Sequence, residues 1–410
     1  MQGLGIGEGH TRSWLLLAGA VSFGLPALLL SRMIAFTGEP ELQPLTGAFV
    51  FGAGIVSAAF LLAWAGEVAE LDIAEALALA VVAFVAVLPE YAVDIYLAWQ
   101  AGAEPLSEYA SYAAANMTGG NRLLVGLGWP AVVLLFWFKR KEQVVLGKSI
   151  SLELAFLAIG AVYSLVLFSK GSIALWDSLV LFPIFGVYMW LSGRAEKHEP
   201  ELTGPSLAIA SLGIRGRRGV MVALFLYSAA VIILSAELFA ESLIDTGAHL
   251  GIDEFILIQW VAPLASEAPE MLIACYFVLR GNPRAALTML ISATVNQWTL
   301  LVGSLPIAYS LGFGGPASLP LAWRQKVEFL LTMAQALFAI VLVARERVSW
   351  PGATLLLALF SAQLFFPQPE ARLSFAILFF GLMGVLLVGD QERRKTVFSL
   401  PRYVVRAAQR

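Results

Sequence analysis

A short Pro-Glu motif occurs twice in this chain, each time inside a long apolar stretch. The first copy is Pro89-Glu90, and the second is Pro269-Glu270, 180 residues later. Proline interrupts the hydrogen-bond ladder of a helix, and a carboxylate among apolar side chains is costly to bury. Two such pairs at matching positions predict two related halves that together build one functional site.

The composition places most of the chain in a membrane. Hydrophobic residues make up 59% and charged residues 13%, whereas soluble domains carry about 25% charged residues. At roughly 20 residues per span, we count about twelve transmembrane helices and predict an all-α polytopic membrane protein. The predicted spans are 14–36, 45–65, 72–100, 109–138, 150–169, 172–192, 218–240, 253–279, 283–311, 323–343, 353–367 and 371–389, of which 353–367 is short enough to be re-entrant.

Three further matches accompany the Pro-Glu pair. They are Leu71 to Glu75 with Leu250 to Glu254, Leu123 to Gly126 with Leu300 to Gly303, and Glu153 with Glu328. Each half, 45–192 and 218–367, then holds five spans, and because five is odd the second half enters the membrane upside down. Inverted repeats with helices interrupted at the midplane are typical of secondary transporters.

The remaining segments flank or join these repeats. We predict an extra N-terminal helix in 1–44, a cytoplasmic linker at 193–217, and a last helix with a basic tail in 368–410. Lys and Arg concentrate in 139–148, in 194–218 and after residue 390, so the positive-inside rule puts these segments and both termini in the cytoplasm. We expect the protein to lie in the plasma (inner) membrane. Topology explains the basic linker more simply than nucleic-acid binding does.

The residues around each Pro-Glu pair suit a hard cation. Pro89 frees the carbonyl of Val85, and Pro269 frees that of Ala265. Calcium and sodium prefer oxygen ligands from carboxylates, carbonyls, amides and hydroxyls. We therefore predict inorganic cations as the partners of this site, beside the lipid bilayer, with no cofactor.

The span after each Pro-Glu pair adds polar side chains. An asparagine lies 26 residues after each glutamate, at Asn116 and at Asn296. The second half carries a stripe of helical spacing, and the first half carries a shorter polar segment. These residues are Thr288, Ser292, Asn296 and Thr299 in the second half, and Tyr112, Asn116 and Gly119-Gly120-Asn121 in the first.

Three additional charges lie near the site. Asp94 follows Glu90 by one helical turn, Glu267 precedes Glu270 by three residues, and Arg122 follows Asn121. Clustered acids repel strongly at low dielectric, so some of them are expected to be protonated or paired. Arg122 is the predicted charge-balancing residue, with Asp94 or Glu267 as its partner.

These motifs resemble the cation/calcium exchanger superfamily, whose membrane region contains two inverted alpha-repeats. The matching segments are Val87 to Glu90, Asn116 to Asn121, Ser266 to Glu270, Ser292 to Asn296 and Leu300 to Gly303. The resemblance covers roughly residues 45–367. It implies that Glu90 and Glu270 are the central ion-binding carboxylates, that Asn116 or Asn121 with Ser292 and Asn296 complete the coordination, and that Ser266 belongs to the second motif. It further implies alternating access.

The chain departs from that family pattern at several positions. Ala86-Val87 stands where the family has Thr-Ser, and Asp94, Glu267 and Arg122 are added. Sodium/calcium exchange is our leading hypothesis, with sodium/proton or calcium/proton exchange as the alternative. A cation channel needs no inverted repeat with paired acids, and an intramembrane enzyme would need a catalytic dyad that the spans lack, so we expect a transporter.

Overall fold

The computed structural model describes residues 4–38, 42–69, 71, 88–194, 202, 204–345 and 347–409. Three features singled out above therefore lie outside the described residues. They are the first part of the third predicted span with its lead-in Asp72 to Glu75, the segment Val85 to Val87, and part of the 193–217 linker.

The described chain is almost entirely helical. The α-helices are α1 (Leu4–Thr37), α2 (Pro44–Ala69), α3 (Leu88–Ala103), α4 (Tyr109–Leu123), α5 (Trp129–Arg140), α6 (Ser151–Lys170), α7 (Leu175–Ser192), α8 (Gly204–Ala210), α9 (Ile214–Leu250), α10 (Glu254–Arg280), α11 (Pro283–Asn296), α12 (Val302–Phe313), α13 (Trp323–Val343), α14 (Trp350–Leu364), α15 (Pro369–Gly389) and α16 (Gln391–Gln409).

Within the described ranges, ten helices are long and apolar enough to cross a membrane. The two other predicted spans correspond to α3, which is described from Leu88 onward, and to α14, which has 15 residues. Apolar run length thus predicted the spans, because a helix in lipid needs about 20 apolar residues to satisfy its own backbone.

The chain divides into two compact units, and each unit takes segments from both sequence halves. Met1–Tyr96 and Gly193–Leu257 form the first unit, and Leu97–Ser192 and Ile258–Arg410 form the second. In the first unit, α2 packs along α9 and α1. Its core is a cluster of Leu61, Ala65, Val68, Ala69, Ile209, Met221 and Leu224.

Two helices of the second unit continue through a π-helical turn. Leu124–Gly128 joins α4 to α5, and Gln297–Leu301 joins α11 to α12. The first π turn begins eight residues after Asn116, whereas the second begins immediately after Asn296. π-Helical turns are rare and occur frequently at functional sites.

Short strands connect helix ends within the second unit. Strand β1 (Val144–Val145) pairs antiparallel with β4 (Arg347–Val348), with Val144 opposite Val348. Strand β2 (Ser172–Ile173) pairs antiparallel with β3 (Leu319–Pro320), with Ile173 opposite Leu319. Each pair joins a connection of the first sequence half to one of the second.

Glycine permits a very close crossing of α4 and α10 in the second unit. A Cβ atom on Gly119 would lie 1.8 Å from the carbonyl oxygen of Gln259, so only glycine fits there. Small residues at such crossings are the usual means by which membrane helices approach closely. This crossing fixes α4 against the helix that carries the second Pro-Glu pair.

Candidate cation-binding site

Helix α10 carries the second Pro-Glu motif and remains helical through Pro263 and Pro269. Because Pro269 has no N–H, it cannot donate to the carbonyl of Ala265. The hydroxyl of Ser266 donates to the carbonyl oxygens of Ala262 (3.4 Å) and Pro263 (3.2 Å). Ser266 therefore uses its proton within its own helix, and its lone pairs remain as acceptors.

Glu267 lies where three elements of the second unit meet. Its side chain is 2% exposed, and its Oε1 accepts a 2.6 Å hydrogen bond from Nε2 of Gln297, the first residue of the second π turn. A Cβ atom on Gly120 of α4 would lie 3.6 Å from both Glu267 Oε1 and Gln297 Nε2. The π turn thus brings an amide donor to a buried acid, beside the glycine that precedes Asn121.

Two buried amides on α4 suit a cation. Asn116 and Asn121 are 2% and 0% exposed. Within the described part of the chain, Oδ1 of Asn116 and both polar atoms of the Asn121 side chain have no hydrogen-bond partner. An unsatisfied buried polar group costs about 1–3 kcal/mol, and amide oxygens are ligands that hard cations accept. Both residues therefore fit the predicted role of ligand.

Glu270 is half-buried and lies one turn beyond Glu267 on α10. Its buried Oε2 has no hydrogen-bond partner among the described residues.

The polar side chains of the second half make hydrogen bonds of their own. On α11, the Ser292 hydroxyl accepts a 2.8 Å hydrogen bond from Tyr188 of α7, and Asn296 is 5% exposed. Thr299 donates to the carbonyl of Val295 at 2.6 Å. This hydroxyl hydrogen bonds to its own helix, as hydroxyls in helices commonly do.

The first Pro-Glu motif belongs to the first unit. On α3, Glu90 is 6% exposed and Asp94, one turn later, is fully buried. Two residues further on, the Tyr96 hydroxyl donates a 2.6 Å hydrogen bond to Glu241 of α9. The acids predicted at this motif are therefore both buried on one helix.

Arg122 pairs with an acid other than the two predicted as its partners. Its Nη2 lies 2.6 Å from Oε2 of Glu328 on α13, so the expected partner, Asp94 or Glu267, is corrected to Glu328. A second arginine, Arg372 of α15, places its Nε 3.6 Å from Oε1 of Glu328. The match of Glu328 with Glu153 marked this residue as a repeat feature, but gave no sign of its partners.

The candidate ligands differ in kind. Among the described residues, no group of three or more His, Cys, Asp or Glu side chains is placed to hold a metal ion. The candidate ligands in the second unit comprise carboxylates, amide oxygens and the carbonyl to which Pro269 cannot donate. Such mixed oxygen sets suit calcium and sodium.

Comparison with known proteins identifies the family. The model of the sodium/calcium exchanger protein family matches residues 43–194 and 220–367, which is more than half of the chain. The chain belongs to this family. The two matched segments correspond to the two halves predicted from the repeated motifs, and the resemblance to cation/calcium exchangers is confirmed.

Solved structures agree with this assignment. The crystal structure of the H⁺/Ca²⁺ exchanger CAX is 41% identical, with a TM-score of 0.90, covering 98% of this chain and 99% of that one. The Ca²⁺/H⁺ antiporter protein YfkE is 14% identical, with a TM-score of 0.57, covering 90% and 98%. The sodium–calcium exchanger NCX_Mj is 14% identical, with a TM-score of 0.51, covering 84% and 99%.

The similarities to YfkE and NCX_Mj, at 14% identity, show the fold alone. A search of curated proteins found no match to the chain. The predicted fold, an all-α membrane protein of about twelve helices in two inverted repeats, is confirmed. The exchanger is an integral membrane transporter of inorganic cations such as calcium, and it is not an enzyme.

Proposed function

We propose that this exchanger moves calcium against protons by alternating access. The proposed ligands are Glu90, Glu270, Asn116, Asn121, Ser266, Ser292 and Asn296, with Asp94 and Glu267 as the additional acids. Here protons replace sodium as the proposed counter-ion; sodium/calcium exchange is the leading hypothesis from the sequence alone. The proposal depends chiefly on Glu267, a buried acid one turn from Glu270 on the same helix.

A second buried acid favours protons as the counter-ion. An ionised carboxylate without a cation is very costly to bury, whereas a neutral acid costs far less. When calcium leaves, Glu267 and Glu270 would both be left charged, and the Glu267 side chain is only 2% exposed. Proton uptake removes that cost, and calcium entry releases the protons again.

The first motif also favours protons over sodium. Ala86-Val87 replaces the two hydroxyl residues that sodium/calcium exchangers carry before Pro-Glu, and Asp94 adds a further acid on α3. Sodium binding depends on several neutral oxygen ligands. Fewer hydroxyls and more acids therefore suit proton exchange better. The 41% identity to an H⁺/Ca²⁺ exchanger is consistent with this assignment.

Flux measurements in proteoliposomes test the proposal. We expect vesicles with an acidic lumen, in sodium-free buffer, to take up labelled calcium, and uptake to stop when an ionophore collapses the pH gradient. Glu90→Gln and Glu270→Gln should abolish this uptake, because each removes a cation-binding carboxylate. Glu370→Gln, which removes an exposed acid on α15, is the matched control and should transport normally.

Two results would contradict calcium/proton exchange. One is calcium uptake that follows an outward sodium gradient and ignores the pH gradient. The other is downhill calcium flux that needs no counter-ion at all. The first result would restore sodium/calcium exchange, and the second would indicate a channel.

A further inference from the structure

Arg122, Glu328 and Arg372 form a buried charge cluster outside the candidate ligands. All three residues are at most 1% exposed. Arg122 Nη2 lies 2.6 Å from Glu328 Oε2, and Arg372 Nε lies 3.6 Å from Glu328 Oε1. The cluster joins α4, α13 and α15 within the second unit.

Amide and aromatic side chains contact the cluster, and Arg324 is a further cation close enough to act on Arg372. Arg122 Nη1 donates to Gln363 Oε1 at 3.3 Å, Gln363 donates to Gln335 at 2.9 Å, and Gln335 donates to the Arg122 carbonyl at 2.9 Å. The guanidinium carbons of Arg122 and Arg372 lie 4.9 Å and 5.7 Å from the centre of the Trp260 ring. Cation–π contact and amide dipoles compensate part of the cost of burying these charges.

The cluster contains one cation more than charge balance requires. Arg122 and Glu328 alone would be a neutral pair, and a buried charge without a counter-ion is costly. The guanidinium of Arg372 therefore adds a cost that its contact with Glu328 does not offset. Because burying Arg372 is costly, we expect this residue to do more than hold α15 in place.

Arg372 reaches the helix that carries the second Pro-Glu motif. Its Nη2 donates to Gln259 Oε1 of α10 at 3.4 Å, and the backbone oxygen of Gln259 is the atom that meets Gly119 of α4. Gln259 thus lies at the crossing of the helices that bear Glu267 with Glu270 and Asn116 with Asn121. Glu267 follows Gln259 by eight residues, about 12 Å along a helix.

We propose that Arg372 is a positioning residue of the exchange site. It lies outside the segments that match the exchanger family, 43–194 and 220–367, on a helix added after the second repeat. Through Gln259 it fixes α10 at its crossing with α4, and so fixes the distance between the acids and the asparagines. The proposal rests on cation antiport, and it does not depend on which ion is exchanged for calcium.

A double-mutant cycle tests the proposal. Arg372→Met leaves the neutral Arg122–Glu328 pair, so the variant is expected to fold, and Gln259→Leu removes the same hydrogen bond from the other side. We expect each change to raise the KM for calcium roughly ten- to hundredfold, as loss of an outer-shell partner does at metal sites, with a smaller effect on kcat. Because both changes break one contact, the double variant should lose no more than the stronger single variant.

A second measurement is independent of transport. Hydrogen exchange followed by mass spectrometry should show faster exchange in α10 around Pro263–Glu270 in Arg372→Met than in the unaltered protein. Arg402→Met removes an exposed arginine of α16 and should change neither measurement. If the unaltered protein does not exchange calcium for protons, the proposed function fails, while the hydrogen-exchange comparison still tests the role of Arg372.

Three outcomes would overturn the positioning role. They are additive effects of the two substitutions on KM, unchanged hydrogen exchange in α10, and an unchanged KM in both single variants. A purely structural role for Arg372 predicts lower stability with calcium KM intact.

Discussion

Asn121 is a candidate ligand whose surroundings differ from those of a packing residue. Its carboxamide is fully buried, and neither polar atom has a hydrogen-bond partner in the described structure. A side chain that only filled space at this position would be better apolar, since an unsatisfied amide costs about 1–3 kcal/mol. A cation bound through the amide oxygen would satisfy part of this side chain.

Replacing Asn121 should separate stability from binding. We predict that Asn121→Leu, of similar size, raises the free energy of unfolding by about 1 kcal/mol in calcium-free detergent, because it removes the unsatisfied amide. The same variant should lose the stabilisation that calcium gives to the unaltered protein. Thermal unfolding with and without calcium measures both effects.

Ser164 provides the matched control for this prediction. Its hydroxyl is 1% exposed and has no hydrogen-bond partner among the described residues, but α6 carries none of the candidate ligands. Ser164→Ala should keep the calcium-dependent stabilisation. Retained stabilisation in Asn121→Leu would remove Asn121 from the ligand set.

The sequence singled out the acids and asparagines of the candidate site, but not the side chains that contact them. Glu267, Glu270 and Asn121 stand out because polar side chains are rare and costly in apolar runs. Gln297 and Gln259 carry no comparable signal, and the repeat match of Glu328 with Glu153 does not reveal its partners, since these contacts depend on which helices cross. Arg122 was recognised as a charge that needs a partner, and only the packing of α13 beside α4 identified Glu328.

At the scale of elements, the two π turns interrupt the regular hydrogen bonding of otherwise continuous helices in the second unit. A π turn is equivalent to one residue inserted into an α-helix, which widens the turn and disturbs the regular backbone bonding. In the second half it presents Gln297 to Glu267, directly after Asn296. The extra residue therefore sets the direction of a donor that holds a site acid.

Deleting one residue from this π turn should preserve the fold and stop transport. We predict that deletion of Leu300 converts Gln297–Leu301 to regular helix without rotating α12 out of its packing, and abolishes calcium exchange. Deletion of Ile307, in the regular helix α12, rotates the following residues by about 100° and should prevent folding. Size-exclusion profiles and flux assays compare the two variants.

Transport by the Leu300 deletion at the normal rate would show that the π turn has no role in exchange. Failure of both deletions to fold would show that the turn is needed for packing instead.

Helix spans were predictable from apolar run length, and the π turns were not. The repeat offset gave one signal, because it falls from 180 at Asn116 and Asn296 to 177 at Leu123 and Leu300. A change of three residues inside continuous helices requires a local irregularity. The offset does not reveal its type or position, which depend on backbone hydrogen bonding.

At the scale of the whole molecule, charge distribution predicts the orientation in the membrane. Lys139, Arg140, Arg345 and Arg393 lie at or next to the ends of α5, α13 and α16. By the positive-inside rule these ends face the cytoplasm, and the 101–108 connection, which has no Lys or Arg, faces away from it. This orientation remains a prediction.

Cysteine labelling tests the orientation directly. Cys275 is the single cysteine of the chain, so Cys275→Ser provides a cysteine-free background. We predict that Glu104→Cys reacts with a membrane-impermeant maleimide on intact cells, and that Gln143→Cys reacts only after lysis. Both positions are exposed, so access to the reagent depends on the side of the membrane. The reverse pattern would invert the topology.

The buried pair of arginines around one glutamate also bears on how the chain is made. Arg122 is synthesised first, Glu328 follows, and Arg372 emerges only with the last membrane helix. A nascent chain that ends before α15 thus already contains a balanced ion pair, so the two repeats can assemble before synthesis is complete. Helix α15 then enters the bilayer with a charge whose acceptors, Glu328 and Gln259, are already in place. Translation order itself protects the costly cation from exposure to lipid.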